Sequence, residues 1–215
     1  MSPVTRGVLF DLDGTLADTL DDIAGAMNHV LRERGMPTHG RDAYRDFVGS
    51  GVEALVRRAA PSADADPAEL TRAFRARYGK HMFDRTRPYP GVPDALRDLA
   101  SRGVPMAVLS NKPHEPTRAM VARLFPEVPF REVRGARPGA TLKPDPASAL
   151  ELAEVLGLAP AEVAYVGDTK IDMETACRAG MVPVGVLWGF RRRDELEAHG
   201  ARRLLHHPRD LTTLC

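Results

Sequence analysis

The sequence predicts an α/β fold, with a Rossmann-like parallel sheet and an inserted all-helical segment. Four short apolar runs lie at residues 7–12, 104–109, 163–166 and 182–187, and each ends near polar or small residues, as buried parallel strands do. Segments with the apolar spacing of helices lie between these runs. Because strands that alternate with helices form parallel sheets, we expect a parallel sheet here.

The stretch from residue 18 to residue 87 departs from this alternation. It offers helices at 21–34, 52–60 and 67–83, and no convincing strand. Residues 88–91, Pro-Tyr-Pro-Gly, form a turn-prone linker, after which the α/β pattern resumes. We therefore expect one α/β domain built from residues 1–17 and 88–215, and an inserted helical domain formed by residues 18–87.

The composition favours a cytoplasmic protein with neither a nucleic-acid partner nor a membrane partner. The 30 basic and 29 acidic residues nearly cancel, so no excess of positive charge points to a phosphate backbone. No apolar run approaches the roughly 20 residues that a membrane-spanning helix needs, and the first residues lack the apolar stretch of a signal peptide. Two cysteines are too few for a disulfide framework. We expect a monomer or a homodimer.

Acidic residues follow two of the predicted strands. Asp11 and Asp13 lie where the first strand meets a Gly-Thr turn, and Asp168 and Asp172 follow the strand at 163–166. Open parallel sheets bind ligands at the carboxyl ends of their strands. Each pair could instead belong to a turn or a helix cap, but a cap does not require a second acid four residues later. Several carboxylate oxygens match the preference of Mg²⁺, so these residues predict a hard divalent metal.

The second predicted strand and a later loop supply groups that could hold a phosphate. The strand at 104–109 leads into Ser110 and Asn111, where a hydroxyl and backbone amides could bind a phosphate oxygen, although Ser-Asn is also an ordinary turn pair. Lys143 precedes Pro144, which biases its backbone toward an extended conformation. Carboxylates around a phosphate repel one another by roughly 4 kcal/mol per pair at about 4 Å and a dielectric of about 20. Lys143 is the cation available to offset this repulsion.

Together these segments resemble the four motifs of the haloacid dehalogenase superfamily. The motifs are Asp-Leu-Asp-Gly-Thr-Leu at 11–16, Ser-Asn-Lys at 110–112, Lys-Pro at 143–144 and Gly-Asp-Thr-Lys-Ile-Asp at 167–172. Their order and spacing agree with the family, and the likeness covers essentially the whole chain. The chain looks closest to the phosphoglycolate phosphatase branch.

The resemblance implies a Mg²⁺-dependent phosphatase that acts on a small phosphorylated metabolite such as 2-phosphoglycolate. Asp11 would be the nucleophile that forms an aspartyl phosphate. Asp13 would be the general acid and base, and its backbone carbonyl would contact the metal. The implied phosphate contacts are Thr15, Ser110, Asn111 and Lys143, and the implied metal ligands are Asp11, Asp13, Asp168 and Asp172.

The helical segment resembles the cap domain of that branch, which closes over the active site. It contains a glycine loop, Gly-Ser-Gly at 49–51, followed by an arginine, and Arg58 is the matching position. Arg58 is therefore the candidate to receive the carboxylate of the substrate. The helix around it also has one apolar face, which allows a simpler interpretation in which Arg58 lies in solvent.

Other functions stay open at this stage. A phosphomutase of the same superfamily would return the phosphate to a sugar, and it would differ from a phosphatase by releasing no inorganic phosphate. Dehalogenases and phosphonate hydrolases usually lack the second aspartate of the first motif, which is present here as Asp13. A non-catalytic phosphate-binding regulator could use the same fold, although intact catalytic positions argue against it. The arginine run at 191–193 is expected to be the solvated start of a helix.

Overall fold

The computed structural model describes residues 5–61 and 66–215 as strands and helices joined by short loops. Within those ranges, every helix lacks the length and apolar character needed to cross a membrane. In chain order the elements are β1 (Gly7–Phe10), β2 (Ala17–Asp18), α1 (Leu20–Glu33), α2 (Ala43–Phe47), α3 (Val52–Ala59), α4 (Pro67–His81), β3 (Arg87–Pro88), α5 (Val92–Ser101), β4 (Met106–Pro113), α6 (His114–Leu124), β5 (Glu132–Ala136), α7 (Ala147–Leu156), β6 (Val163–Gly167), α8 (Lys170–Ala179), β7 (Val182–Val186), α9 (Arg193–Ala198) and β8 (Arg203–Leu205).

Six strands form one sheet in the order β5-β4-β1-β6-β7-β8, and all neighbouring pairs are parallel. The predicted α/β class with a parallel sheet is therefore confirmed. β1 lies between β4 and β6, and its residues are fully covered on both faces. Val8 and Phe10 contribute to the apolar cluster on one face, and Leu9 contributes to the cluster on the other. The central strands thus direct the residues that follow them to one shared carboxyl edge.

The two outer strands, β5 and β8, were not expected from the sequence. β5 has the sequence Glu-Val-Arg-Gly-Ala and only one buried residue, and β8 is Arg-Leu-Leu with one buried residue. Edge strands have a neighbour on one side only and can keep charged side chains at the solvent boundary. They therefore lack the continuous apolar run that identifies the central strands.

Helices α1 to α4 share an apolar core that is separate from the two clusters on the sheet. Its most buried members include Met27, Leu31, Tyr44, Leu70 and Phe74. At the two ends of this helical region, β2 and β3 form a two-residue antiparallel ribbon. Strands this short leave no periodic pattern, so the sequence predicted no strand there. The predicted domain boundaries at 17/18 and 87/88 fall within this ribbon.

Candidate active site

A cavity of about 600 Å³ lies where the carboxyl edge of the sheet meets the helical region. Asp11 follows β1, Ser110 lies in the last part of β4, and Lys143 comes from the loop before α7. All three line the cavity. Opposite them the helical region contributes mostly apolar wall residues: Ile23, Val48, Gly49, Val52, Leu55, Phe74 and Tyr78.

Three buried carboxylates cluster at the base of the site. Asp11, Asp168 and Asp172 each offer an oxygen, and these atoms lie within 4.8 Å of one another. The Lys143 ammonium lies 2.7 Å from Asp11 Oδ1 and 2.7 Å from Asp172 Oδ1. The pKa of the Asp11 carboxyl is raised from 3.8 to about 7. Burial is the largest cause of this rise, the Lys143 charge opposes it, and the Asp172 charge adds to it. Burial, followed by the charges of Asp11 and Asp172, raises the pKa of Asp168 well above its ordinary value.

This donor set fits a divalent metal of the Mg²⁺ type. One ammonium faces three carboxylates in the cluster, so the deprotonated groups lack a balancing positive charge. Hard oxygen ligands in this number leave positions for water and phosphate, as Mg²⁺ prefers. The side chain of Asp13 is not part of the cluster, and a metal contact through the Asp13 backbone carbonyl stays a prediction.

The turn after β1 and the loop after β7 hold Asp168 in place. The Thr15 hydroxyl donates to Asp168 Oδ1 at 3.1 Å, and the Phe190 amide donates to Asp168 Oδ2 at 2.8 Å. Gly14 has a φ of +89°, and a Cβ there would lie 2.2 Å from Asp168 Oδ2, so a larger residue would displace the carboxylate. Thr15 is fully buried and does not line the cavity. The structure thus shows Thr15 supporting Asp168, and a direct contact between Thr15 and phosphate stays a prediction.

Asn111 also lines the cavity, and its side chain holds the loop that carries Lys143. Its amide nitrogen donates to the carbonyls of Gly49 and Lys143, each at 3.0 Å, and its Oδ1 accepts from the Lys143 amide at 2.9 Å. The side chain is therefore committed to positioning the Lys143 loop, and a phosphate contact through the backbone amide stays a prediction. Ser110 keeps the expected place, because it lines the cavity and its oxygen accepts from the Lys112 amide at 3.2 Å, which leaves the hydroxyl proton available.

Lys112 is a cavity residue to which the sequence analysis gave no role. Its ammonium lies 3.0 Å from Asp13 Oδ1 and donates to the Tyr78 hydroxyl at 2.8 Å. Burial by itself would lower the pKa of Lys112. The charges of Asp13 and Tyr78 outweigh burial and raise this pKa above its ordinary value. Residues two apart on a strand share one face. The spacing from Ser110 was therefore a signal in the sequence that Lys112 would reach the site.

The structure does not bring Arg58 to the cavity wall. Arg58 is exposed, and its guanidinium donates to the carbonyl of Phe47 at 2.9 Å, the carbonyl of Asp46 at 3.3 Å and the hydroxyl of Ser50 at 3.0 Å. Side chains on a helix tilt toward its N-terminus. From the last turn of α3, Arg58 therefore reaches back to the loop before its own helix. It supports the glycine loop, and the carboxylate of a substrate would need another partner.

The arginine run begins a helix as expected, and Arg192 and Arg193 are exposed, but Arg191 is not solvated. Its side chain is only 11% exposed. It donates to the carbonyl of Arg45 and, at 3.3 Å, to the carbonyl of Val48. Glu195 lies 3.2 Å away and balances the charge. Arg191 thus ties the loop after β7 to the C-terminal end of α2.

Comparison with known proteins gives the same picture from sequence and from structure. A model of the haloacid dehalogenase-like hydrolases matches residues 8–186. A phosphoglycolate phosphatase from Pseudomonas putida is 35% identical over 217 residues, which cover 98% of this chain and 79% of that protein. A phosphoglycolate phosphatase from Aquifex aeolicus is 36% identical, with 86% of each chain covered. A crystal structure described as a predicted phosphoglycolate phosphatase from Haemophilus somnus is 26% identical with a TM-score of 0.90, over 98% of this chain and 97% of that chain.

Proposed function

The chain belongs to the haloacid dehalogenase-like hydrolase family and is a phosphatase, and we propose that it hydrolyses a small phosphomonoester by way of an aspartyl phosphate on Asp11. The observation that carries this proposal is the position of Asp11. Its carboxylate lines the cavity, contacts the Lys143 ammonium at 2.7 Å and belongs to a cluster of three buried carboxylates. Relatives from Pseudomonas putida and Aquifex aeolicus bear the name phosphoglycolate phosphatase, which supports 2-phosphoglycolate as the substrate.

In the first half of the reaction, an Asp11 oxygen attacks phosphorus and the bond from phosphorus to the leaving oxygen breaks. The Ser110 hydroxyl and the Lys143 ammonium hold phosphate oxygens, and Asp13, as a neutral acid, gives its proton to the leaving oxygen. In the second half, Asp13 takes a proton from water, the water oxygen attacks phosphorus, and Asp11 is released.

Mg²⁺, when bound by the carboxylates of Asp11, Asp168 and Asp172 and the backbone carbonyl of Asp13, would supply positive charge that aligns the phosphate with its nucleophile. Lys143 supplies the second positive charge and contacts two of these carboxylates. The chemistry then rests on positioning and charge, since a carboxylate by itself is a weak nucleophile.

We also propose that residues 18–87 form a cap domain over this site. These residues contribute a large share of the apolar cavity wall, and they carry their own apolar core. Their two connections to the rest of the chain lie side by side in the β2–β3 ribbon. Two adjacent connections of this kind would allow the helices to move as a unit and to exclude water during the reaction.

The volume of the cavity favours a second candidate function. About 600 Å³ is typical of sites for drug-sized ligands and is generous for a molecule as small as 2-phosphoglycolate. A larger phosphorylated metabolite, such as a sugar phosphate, would fill it better. The second candidate is therefore a phosphatase that acts on such a larger substrate.

A phosphate-release screen tests both candidates. Inorganic phosphate is measured with 2-phosphoglycolate and several sugar monophosphates in the presence of Mg²⁺. We expect phosphate release with the highest kcat/KM for 2-phosphoglycolate. EDTA should abolish the release, Mg²⁺ should restore it, and Ca²⁺ should inhibit it because its larger, irregular shell misplaces the nucleophile. Conversion of a sugar phosphate to its isomer without phosphate release would favour the phosphomutase, and full activity in EDTA would contradict the metal requirement.

A further inference from the structure

Lys112 is a buried cation on the cavity wall that the mechanism above does not use. Its side chain is 5% exposed, and its ammonium lies 3.0 Å and 3.2 Å from the two carboxylate oxygens of Asp13. The Tyr78 hydroxyl lies 2.8 Å away on the helical side of the cavity. An ammonium has three N–H donors: with one shared between the two Asp13 oxygens and one donated to Tyr78, the third can reach a ligand.

The other cations on the cavity wall are less suited to binding a second anionic group. In the part of the chain that the structure describes, the cavity-lining cations are Lys112, Lys143, Arg75 and Arg137. Lys143 is held between Asp11 and Asp172. Arg75 is exposed and pairs with Glu53 at 2.7 Å, and Arg137 is exposed beside the ring of His114. A charge at the surface is screened by water, whereas Lys112 is buried, so among the described residues Lys112 is the buried cavity cation outside the proposed phosphate position.

The contact between Lys112 and Asp13 fixes where such an anionic group would lie. For Asp13 to exchange a proton with the leaving oxygen, one of its oxygens must come within hydrogen-bonding distance of that atom. Both Asp13 oxygens already contact the Lys112 ammonium, which therefore lies within about 6 Å of the leaving oxygen. A carboxylate one carbon from the leaving oxygen falls inside this distance.

The Tyr78 hydroxyl holds the Lys112 ammonium beside Asp13. The Tyr78 ring stacks on Phe74, with centroids 5.4 Å apart and planes 9° apart, and both side chains are buried. The hydroxyl therefore has a fixed position from which it accepts the Lys112 proton. Tyr78 lies on α4 and Lys112 on β4, so this hydrogen bond also joins the helical region to the sheet.

We propose that Lys112, positioned by Tyr78, receives a carboxylate carried by the leaving group of the substrate. The inference rests on the proposed function and deepens it, since it limits the preferred substrates to phosphomonoesters with an anionic group close to the ester oxygen. It also transfers to Lys112 the role that the sequence suggested for Arg58. Tyr78 acts through Lys112 and is a positioning residue.

Two matched substrates test the proposal. 2-Phosphoglycolate and 2-hydroxyethyl phosphate have the same chain length and differ only in carrying a carboxylate or a hydroxymethyl group. The measured quantity is the ratio of their kcat/KM values in the full-length protein with Mg²⁺. Lys112→Met should lower this ratio by roughly 10- to 150-fold, the effect of losing one charge-assisted hydrogen bond. Lys80→Met removes an exposed lysine from α4 that does not line the cavity, and it should leave the ratio unchanged.

A second variant keeps the test decisive if Lys112→Met does not fold. Tyr78→Phe keeps the stacked ring and removes only the hydroxyl, and it should lower the same ratio by roughly 2- to 10-fold. An unchanged ratio in Lys112→Met, with both substrates slowed equally, would overturn the proposal and leave Lys112 as a support for Asp13. An unchanged ratio in Tyr78→Phe would overturn the positioning role and, where Lys112→Met is unfolded, the proposal itself.

The parent protein separates this inference from the function on which it rests. Equal kcat/KM for the two substrates in the parent would overturn the inference while the phosphatase function stands. Absence of phosphate release from both would reject the proposed small-ester function and the inference together.

Discussion

Asp11 and Asp13 are two residues apart in the chain, but they have different surroundings. Asp11 is buried beside Lys143 and two further carboxylates, whereas Asp13 contacts Lys112 at the cavity wall. Two carboxyl groups with unlike environments can take unlike roles in one reaction. The difference supports Asp11 as the nucleophile and Asp13 as the group that moves protons.

The role of Asp13 is tested by Asp13→Asn. An amide can neither protonate the leaving oxygen nor accept a proton from water, so both formation and hydrolysis of the aspartyl phosphate should slow by roughly 100- to 10,000-fold. Rapid-quench trapping of the phosphorylated protein measures the two steps separately. Asp194→Asn, at an exposed position on α9, serves as the control. If neither step slows, Asp13 is not the acid and base.

The contacts of Arg58 lead to a different expectation from the one suggested by the sequence. Arg58→Ala removes donors to Phe47, Asp46 and Ser50 and should loosen the glycine loop. We expect kcat/KM to fall by roughly 2- to 10-fold, and by the same factor for 2-phosphoglycolate and for p-nitrophenyl phosphate, which has no carboxylate. Arg57→Ala, the exposed neighbour, should have little effect. A loss confined to 2-phosphoglycolate would return the carboxylate-binding role to Arg58.

The sequence identified residues whose location follows from their position on the backbone. It was wrong for residues whose contacts depend on the direction of a long side chain. Asp11 and Asp168 directly follow central strands and Ser110 lies in the second half of β4, and the parallel sheet brings such positions to one edge. Arg58 and Arg191 have long side chains that turn toward nearby carbonyls. No periodicity in the sequence specifies that direction.

At the scale of the elements, the end of β4 organises the site. Ser110 lines the cavity, Asn111 contacts the Lys143 loop, and Lys112 contacts Tyr78 of the helical region. Asn111 is the element's link to both of the other segments. It contacts the backbone of Lys143 twice and the carbonyl of Gly49 once.

Asn111→Ala tests whether this link positions Lys143. Loss of the side chain leaves buried backbone groups without partners, so the free energy of unfolding should fall by about 1–3 kcal/mol. Because Lys143 is then less well fixed, kcat/KM should fall further than stability alone explains. Denaturant unfolding and phosphate release measure the two effects.

Asn28→Ala is the matched control, because Asn28 makes a similar set of hydrogen bonds away from the cavity. It bridges the backbone of His39 and accepts from the Tyr44 hydroxyl within the helical region. We expect a similar loss of stability with a smaller effect on kcat/KM. Equal losses of activity in the two variants would contradict a specific role for Asn111.

The elements that the sequence predicted are those with enough buried length to leave a pattern. β1, β4, β6 and β7 lie in the interior of the sheet and contain apolar runs. The edge strands β5 and β8 carry arginine and glutamate, and β2 and β3 have two residues each. These strands form because they pair with strands that lie far away in the chain. The sequence of one short segment does not show this pairing.

At the scale of the whole molecule, several contacts between the helical region and the α/β region surround the cavity. Asn111 contacts Gly49, Lys112 contacts Tyr78, and Arg191 contacts the Val48 carbonyl. Two of these contacts end in the loop between α2 and α3. Any opening of the proposed cap must break or shift them, so cap position and the geometry of Lys143 and Asp13 are coupled.

The buried carboxylates predict a dependence of stability on pH that Mg²⁺ should remove. The folded protein raises the pKa of Asp11 from 3.8 to about 7 and that of Asp168 well above its ordinary value, so both favour the neutral acid. Metal-free protein should therefore lose stability as the pH rises from about 4 to 7, where the unfolded chain ionises first. Added Mg²⁺ should raise Tm more at about pH 8 than at about pH 5.5, because protons compete with the metal. An equal rise in Tm at both pH values would contradict the metal site.

The central claim is that Asp11 is the nucleophile of a phosphomonoesterase, and Asp11→Asn tests it most directly. The measurement is phosphate release from 2-phosphoglycolate with saturating Mg²⁺, compared with the parent and with Asp98→Asn, which alters an exposed carboxylate on α5. We expect a folded Asp11→Asn protein whose kcat is lower than that of the parent by more than roughly 1,000-fold, with Asp98→Asn unchanged. Phosphate release by Asp11→Asn at the rate of the parent would show that Asp11 is not the nucleophile.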